Sequence, residues 1–170
     1  MTENDLRALP PLSIPYAPLR VRKTEKDRLQ VFDRLRNKFV NLTPEEFVRQ
    51  NIVSWLIDSR GYPAGLVANE VSLNLNGTKK RCDTIVYNRE GNPLLIVEYK
   101  APGIEISQQT FDQIVRYNTE FKAKYLVVTN GIKLYCCLID YDNKSYNFIP
   151  TIPDYKDTLP GIGVNSTGLN

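Results

Sequence analysis

The sequence has no histidine among its 170 residues. Histidine is the usual general base near neutral pH and the commonest zinc ligand, so His-based triads and His-bearing zinc sites are excluded. Cysteine is scarce too: Cys82, Cys136 and Cys137 cannot make an all-cysteine zinc site and form no paired disulfide framework. They are expected to be small buried hydrophobes in a reducing compartment. No apolar run approaches the roughly 18 residues of a membrane span. Met1 to Leu6 carries acids and lacks the basic and apolar parts of a leader. A cytoplasmic protein with no membrane partner is expected.

What is present looks globular. Hydrophobic residues make up 42 % and charged residues 24 %, ordinary usage for one folded domain with one core. The net charge of +3 permits a polyanionic partner without demanding one. Its distribution is uneven. Arg20, Arg22, Lys23, Lys26, Arg28, Arg34, Arg36 and Lys38 face only Glu25, Asp27 and Asp33 in the same stretch, an excess larger than that of the whole chain.

Prolines 10, 11, 15 and 18 predict an extended arm over residues 1–20, with Leu12, Ile14 and Tyr16 as anchors. Leu29, Val31, Phe39 and Leu42 fit a hairpin; Leu29, Phe32, Leu35 and Phe39 fit a helix about as well, and the hairpin is preferred. Thr43-Pro44-Glu45-Glu46 predicts a helix start, with Thr43 as N-cap, Pro44 at the first helical position and Glu46 closing a capping box. An apolar stripe from Phe47 to Ile57 follows. Strands are expected at Leu66 to Asn74, Arg81 to Tyr87 and Leu94 to Lys100, the first two joined by a turn at Asn76-Gly77. A second helix from Ser107 to Glu120 precedes strands at Tyr125 to Thr129 and Ile132 to Asp140, joined at Asn130-Gly131, and another at Tyr146 to Ile149. The tail, residues 151–170, reads as extended or frayed. Residues 21–150 are thus the expected α/β domain, with the order α-β-β-β-α-β and extra strands.

Charges inside so apolar a strand are costly unless something pairs or binds them. In Leu94-Leu95-Ile96-Val97-Glu98-Tyr99-Lys100, alternation puts Glu98 and Lys100 on one face, about 7 Å apart along the strand. Asp83 on the neighbouring strand can converge on Glu98. Two carboxylates and a lysine make a hard-oxygen site suited to Mg2+, with Mn2+ as substitute, and to phosphodiester cleavage. The tripeptide alone has no weight: the chain carries four acid-x-Lys matches, where chance gives about one. The apolar lead-in, the preceding hairpin and the following helix set this one apart. A plain salt bridge between Glu98 and Lys100 is the competing structural explanation.

Several blocks together, Thr43-Pro44-Glu45-Glu46-Phe47-Val48-Arg49-Gln50, Arg81-Cys82-Asp83, Val97-Glu98-Tyr99-Lys100-Ala101-Pro102, Asp112-Gln113, Arg116-Tyr117-Asn118 and Val128-Thr129-Asn130-Gly131, resemble the N-terminal nuclease domain of type I restriction enzyme R subunits. That domain belongs to the PD-(D/E)xK superfamily. The resemblance spans roughly Leu29 to Pro150. It implies a restriction-endonuclease-like core with a mixed central sheet flanked by helices, and Mg2+-dependent hydrolysis of double-stranded DNA. Carried over, Asp83 and Glu98 are the metal-binding carboxylates, the Tyr99 carbonyl completes the metal site, and Lys100 positions or activates the attacking water. The helix acid is Glu45 or Glu46. Glu45 lies within about 20° of Ile52 on the helix wheel and is the choice, since Glu46 serves the capping box. Gln113 and Tyr117 match a Gln-x-x-x-Tyr motif that orients the lysine or touches the DNA backbone; half-buried polar residues beside a sheet are the plainer reading. Glu70 is a supporting or a solvated acid.

Cys82 stands where the superfamily name has proline, which leaves the metal site unaffected. No Gly-x-x-x-x-Gly-Lys-Ser/Thr loop is present, so this chain by itself does not hydrolyse ATP. Motor or specificity subunits of a restriction system are therefore possible partners. Phosphates are expected at Arg34, Arg36 and Lys38 and at Lys79, Lys80 and Arg81. The alternative function is a nuclease-fold module that grips DNA or a subunit without cutting.

Overall fold

A computed structural model describes residues 1–75 and 78–159, without the side chains of residues 73–80, 113, 116, 117, 119 and 120. Among the described residues three α-helices and nine strands alternate: α1 (Glu3–Arg7), β1 (Val21–Lys23), β2 (Leu29–Asp33), β3 (Lys38–Asn41), α2 (Pro44–Asp58), β4 (Val67–Leu75), β5 (Thr78–Tyr87), β6 (Pro93–Tyr99), α3 (Gln108–Phe121), β7 (Tyr125–Thr129), β8 (Leu134–Asp140) and β9 (Ser145–Ile149). β1, β2 and β3 form a small sheet, and β4 to β9 form a six-stranded sheet in sequence order. Every neighbour in the large sheet is antiparallel except β6 and β7, which α3 links as a parallel pair. The result is a mixed sheet in a mixed α/β fold. The segment expected to be hairpin or helix is the hairpin β2–β3.

The apolar run Leu94 to Val97 explains why β6 is central: its residues are buried on both faces of the sheet. On one face Val48, Ile52 and Leu56 of α2 pack with Leu95, Val97 and Val127, and Leu29 and Val31 of the small sheet close over the same cluster. On the other, Phe111 and Ile114 of α3 pack with Ile85, Ile96, Leu126 and Val128. Helix α2 starts at Thr43, whose hydroxyl accepts the Glu46 N–H at 3.0 Å. Serine 107 caps α3 in the same way. Cys82, Cys136 and Cys137 are all buried, and burial pushes the last two thiols up to about 12.

The chain ends differ from expectation. Residues 1–20 are not wholly extended, because Thr2 and Asp5 form a reciprocal capping box that starts α1. Leu12 and Ile14 are buried, while Tyr16 is exposed. Gly131 shows why the arm fits so closely: it has φ +82°, and a Cβ there would come within 2.5 Å of Leu12. The expected frayed tail holds only in part as a description. Ile152 and Tyr155 are buried, Tyr62 donates to the Pro153 carbonyl at 3.0 Å, and Arg60 pairs with Asp154 at 2.9 Å. Two well-placed apolar side chains and two polar anchors suffice to dock residues 151–159. The remainder of the tail and the Asn76-Gly77 turn lie outside the described residues.

Candidate active site

The site forms where one strand ladder stops. β5 and β6 are paired through Thr84 and Val97, while β6 continues beside β7 to Glu98–Val128 and Tyr99–Thr129. The Tyr99 N–H, facing the side that β5 has left, donates instead to Asp83 Oδ2 at 3.0 Å. On the opposite side the Lys100 N–H donates to the Thr129 carbonyl at 2.9 Å. Across that trans peptide the Tyr99 carbonyl therefore points back toward β5 and Asp83.

A second irregularity aims the acids. In β4, Ala68 and Val71 both pack on the α3 side of the sheet, although three residues apart they should alternate. In β5 the same is true of Cys82 and Ile85. The pairing steps from Asn69–Thr84 to Val71–Cys82 and passes over Glu70 and Asp83. Glu70 has φ +57°, a left-handed conformation that is costly for such a residue. This local distortion turns both carboxylates onto one guanidinium: Glu70 lies 2.8 Å and Asp83 3.2 Å from Arg49. Distorted ladders next to functional sites re-aim side chains in this manner.

Arg49 is 3 % exposed. It also pairs with Glu46, lies 3.7 Å from Glu45, and sits 5.4 Å from the Tyr99 ring centroid. Glu46 in turn accepts from Gln50 at 2.7 Å and from Arg36 at 3.1 Å. Arg36 reaches Asp33, which accepts the Asn69 amide at 3.0 Å. Asn69 accepts from Thr84 at 2.6 Å, and Thr84 accepts the Tyr99 hydroxyl at 3.0 Å. Two hydrogen-bonded chains thus run from Asp33 and meet at Tyr99. Asp33 illustrates the balance: burial pushes its carboxyl up, but the Arg36 backbone, the Asn69 amide and the Arg36 guanidinium hold it below the usual range.

On the solvent side of this network, Lys100 Nζ donates to Glu98 Oε1 at 3.2 Å. Burial first, then the charge of Asp83, pushes Glu98 up to about 7, with Lys100 opposing and Glu45 adding to the rise. Glu45 is raised too, by burial and by Asp83. Contacts outline the neighbourhood: Asp83 binds the Tyr99 N–H, Glu98 and Lys100 flank Tyr99 and pair with each other, and Arg49 reaches both Asp83 and Glu45.

The structure gives several expected residues another job. Glu46 does not close a capping box: the cap is Thr43, and the Glu46 carboxylate turns inward to Arg36, Arg49 and Gln50. Glu45, in the first turn of α2, stays half-exposed. Arg36 is no free phosphate ligand, since Asp33 and Glu46 hold its guanidinium. Arg34 pairs with Asp58 at 2.8 Å, and Arg81 with Glu70 at 2.9 Å; Lys38 is exposed. The side chains of Lys79, Lys80, Gln113 and Tyr117 lie outside the described residues. Arg49, Asp33, Asn69 and Thr84 build this network, and sequence reasoning assigned none of them to the candidate site. For Arg49 a signal existed: it lies three residues before Ile52 and one turn after Glu45 and Glu46, on the inward stripe.

The family model for the type I restriction enzyme R protein N terminus matches residues 44–153. The chain belongs to that family. Its fold is similar to a fragment structure assigned as an HsdR subunit of a type I restriction enzyme from Vibrio vulnificus YJ016, with a TM-score of 0.51 at 17 % identity. The match covers 69 % of this chain and 25 % of that one, so this chain spans about a quarter of its structural relative. No curated protein matches. The R-protein match covers α2 to Pro153, which includes Asp83, Glu98 and Lys100. No described helix is long and apolar enough to cross a membrane.

Among the described residues no group of three acidic or cysteine side chains is arranged to hold a metal ion. Mg2+ does not require one: it commonly takes one or two carboxylates and completes its shell with water and substrate phosphate. Asp83, Glu98 and the inward-turned Tyr99 carbonyl are an all-oxygen donor set of that kind, and they fit the ion.

Proposed function

We propose that this R-protein N-terminal domain is a Mg2+-dependent DNA endonuclease with a PD-(D/E)xK core. The observation that supports the reading is that Asp83 accepts the Tyr99 N–H where β5 parts from β6, while Glu98 and Lys100, on either side of Tyr99, pair with each other. Glu98 is half-buried and is raised by burial and by the charge of Asp83, a cost that a divalent cation relieves. In this reading Asp83, Glu98 and the Tyr99 carbonyl hold the ion, whose chemistry is the stabilisation of charge on the scissile phosphate. Lys100 positions the attacking water or neutralises developing charge, and Glu45 shapes the entrance. Arg81, Lys38 and the small sheet β1–β3, the outer sheet, supply phosphate contacts. Duplex DNA is the substrate, motor or specificity subunits of a restriction system are the partners, and the compartment is the cytoplasm.

The test is plasmid nicking with Mg2+ or Mn2+, alone and with a motor subunit supplied. Lys100→Ala should abolish nicking while leaving metal and DNA binding nearly intact, because the carboxylates and the basic surface remain. A wild-type protein that nicks no duplex under any of these conditions would replace this reading with that of a binding module.

A further inference from the structure

Arg49 is the least exposed cation of the site, and four carboxylates face it: Glu45, Glu46, Glu70 and Asp83. Its side chain is more than nine-tenths buried, and its Nε has no hydrogen-bond partner among the described residues. A guanidinium placed only for stability would be expected to satisfy all its donors. Here geometry favours the terminal nitrogens, which are turned to the acids, at the expense of Nε.

Asp83 shows what this means for a ligand. Its Oδ2 accepts the Tyr99 N–H and its Oδ1 the Arg49 guanidinium. Each oxygen retains a lone pair, so a cation is not blocked sterically. It must instead settle beside a fixed positive charge in a medium of low effective dielectric, where unit charges a few ångströms apart interact strongly. The same charge keeps Glu70 and Asp83 together on their distorted strands when no cation is there to do so.

We propose that Arg49 is the positioning residue of this site, an internal counter-ion that holds Asp83 and Glu70 in place before a divalent cation binds and limits how tightly one binds. The inference rests on the cation placement proposed above and concerns the regulation of that same site. Arg49 touches neither substrate nor reacting atoms. It acts through Asp83.

The test titrates Mn2+ calorimetrically into chelator-treated full chain. Arg49→Gln should tighten Mn2+ binding about tenfold or more, because a like charge has left the neighbourhood. Without cation the variant should melt below wild type, and saturating Mn2+ should close most of that gap. Arg36→Gln breaks the same network away from Asp83, so it should lower the melting temperature and leave Mn2+ affinity unchanged. If Arg49→Gln is unfolded without metal, Mn2+-driven recovery of its far-UV dichroism supports the proposal. Unchanged or weaker Mn2+ binding, no cation rescue, or no binding by either protein overturns it. Nicking is not read here: tighter binding by the variant stands even where wild type fails to cut, and nicking with unaltered affinity removes this inference alone.

Discussion

Arg36, in the β2–β3 turn, and Arg49, a buried residue of α2, each bridge two or more carboxylates inside the protein. Arg20, Arg22, Lys26 and Arg28, on and beside the outer sheet, are all exposed. There Arg20 and Arg22 stack on Phe32 and Phe39 at 4.5 and 4.0 Å, and Arg22 also binds Gln30 at 2.7 Å. An open groove on this surface is lined by Arg22, Lys23, Lys26 and Arg28 and by one acid, Glu25, with Lys23 paired to Asp27. The interior cations are consumed by neighbouring acids, Asp33, Glu46, Glu70 and Asp83, which outnumber them. The outer ones keep unspent charge that a polyanion can neutralise. A count of basic residues along the sequence merges the two populations, although Arg36 and Lys38 are only two positions apart.

The strongest break of this contrast is Asp33→Ala. Asp33 is fully buried and accepts from the Leu35 and Arg36 backbones, the Arg36 guanidinium and Asn69. Its removal takes one of two acids from half-buried Arg36 and leaves the Asn69 amide and two backbone N–H groups without their acceptor, which costs about 3 kcal/mol or more. Urea unfolding should show a loss of that size. A loss below about 1 kcal/mol would mean that the network behaves like surface pairs.

The next largest effect is a pH dependence confined to the buried side. Unfolded Glu98 ionises near 4.5, and in the folded chain it is pushed up to about 7 by burial and by Asp83. Between those values the folded state keeps a proton that the unfolded state has lost, so the contribution of Glu98 to stability falls as pH rises through the window. Below 4.5 both states are protonated and the contribution is constant. Cation-free Glu98→Gln should therefore unfold at a urea concentration close to wild type at pH 5 and at a higher one at pH 8. Parallel pH curves for the two proteins would show that Glu98 is not raised.

Much of this was legible in the sequence because strong local signals set it. The apolar Leu94 to Lys100 segment read as a strand, Thr43-Pro44 as a helix start, and alternation put Glu98 on one face with Lys100, which the structure joins at 3.2 Å. What was not legible depends on breaks in those rules. Alternation places Glu70 with Ala68 and Ser72, but its positive φ resets the facing of β4 and brings it to Arg49. The destination of Glu46 was hidden because its partners Arg36 and Arg49 come from different elements. The docking of Ile152 and Tyr155 carries no periodic signature at all.

The outer sheet should respond to salt where the interior does not. If the groove holds duplex DNA, affinity should fall with salt at a slope near 0.9 per phosphate contacted. Neutralising Arg22, Lys26 and Arg28 together should flatten that slope by about two to three units of log K per log salt and leave the melting temperature nearly unchanged. An unchanged slope in fluorescence-anisotropy titrations would return this surface to solvated side chains and shift the DNA contacts toward Arg81 and Lys38.

The smallest effect is expected at Arg34, and its neighbour makes it informative. Arg34 and Arg36 stand in the same β2–β3 turn and both pair with acids, Arg34 with Asp58 through two contacts of 2.8 and 2.9 Å. Each arginine makes two close carboxylate contacts, so their number does not separate the pairs. Exposure does: the Arg34 and Asp58 side chains are 41 % and 54 % accessible, against 21 % and 0 % for Arg36 and Asp33. Water screens the first pair, and ordering two long exposed side chains offsets most of the remaining attraction. Arg34→Ala should therefore change unfolding free energy by less than about 1 kcal/mol, whereas Arg36→Ala, which uncovers Asp33 and Glu46 inside the protein, should cost several times more. Equal losses in the two variants, measured by urea denaturation in one buffer, would show that burial is not what separates the interior cations from the outer ones.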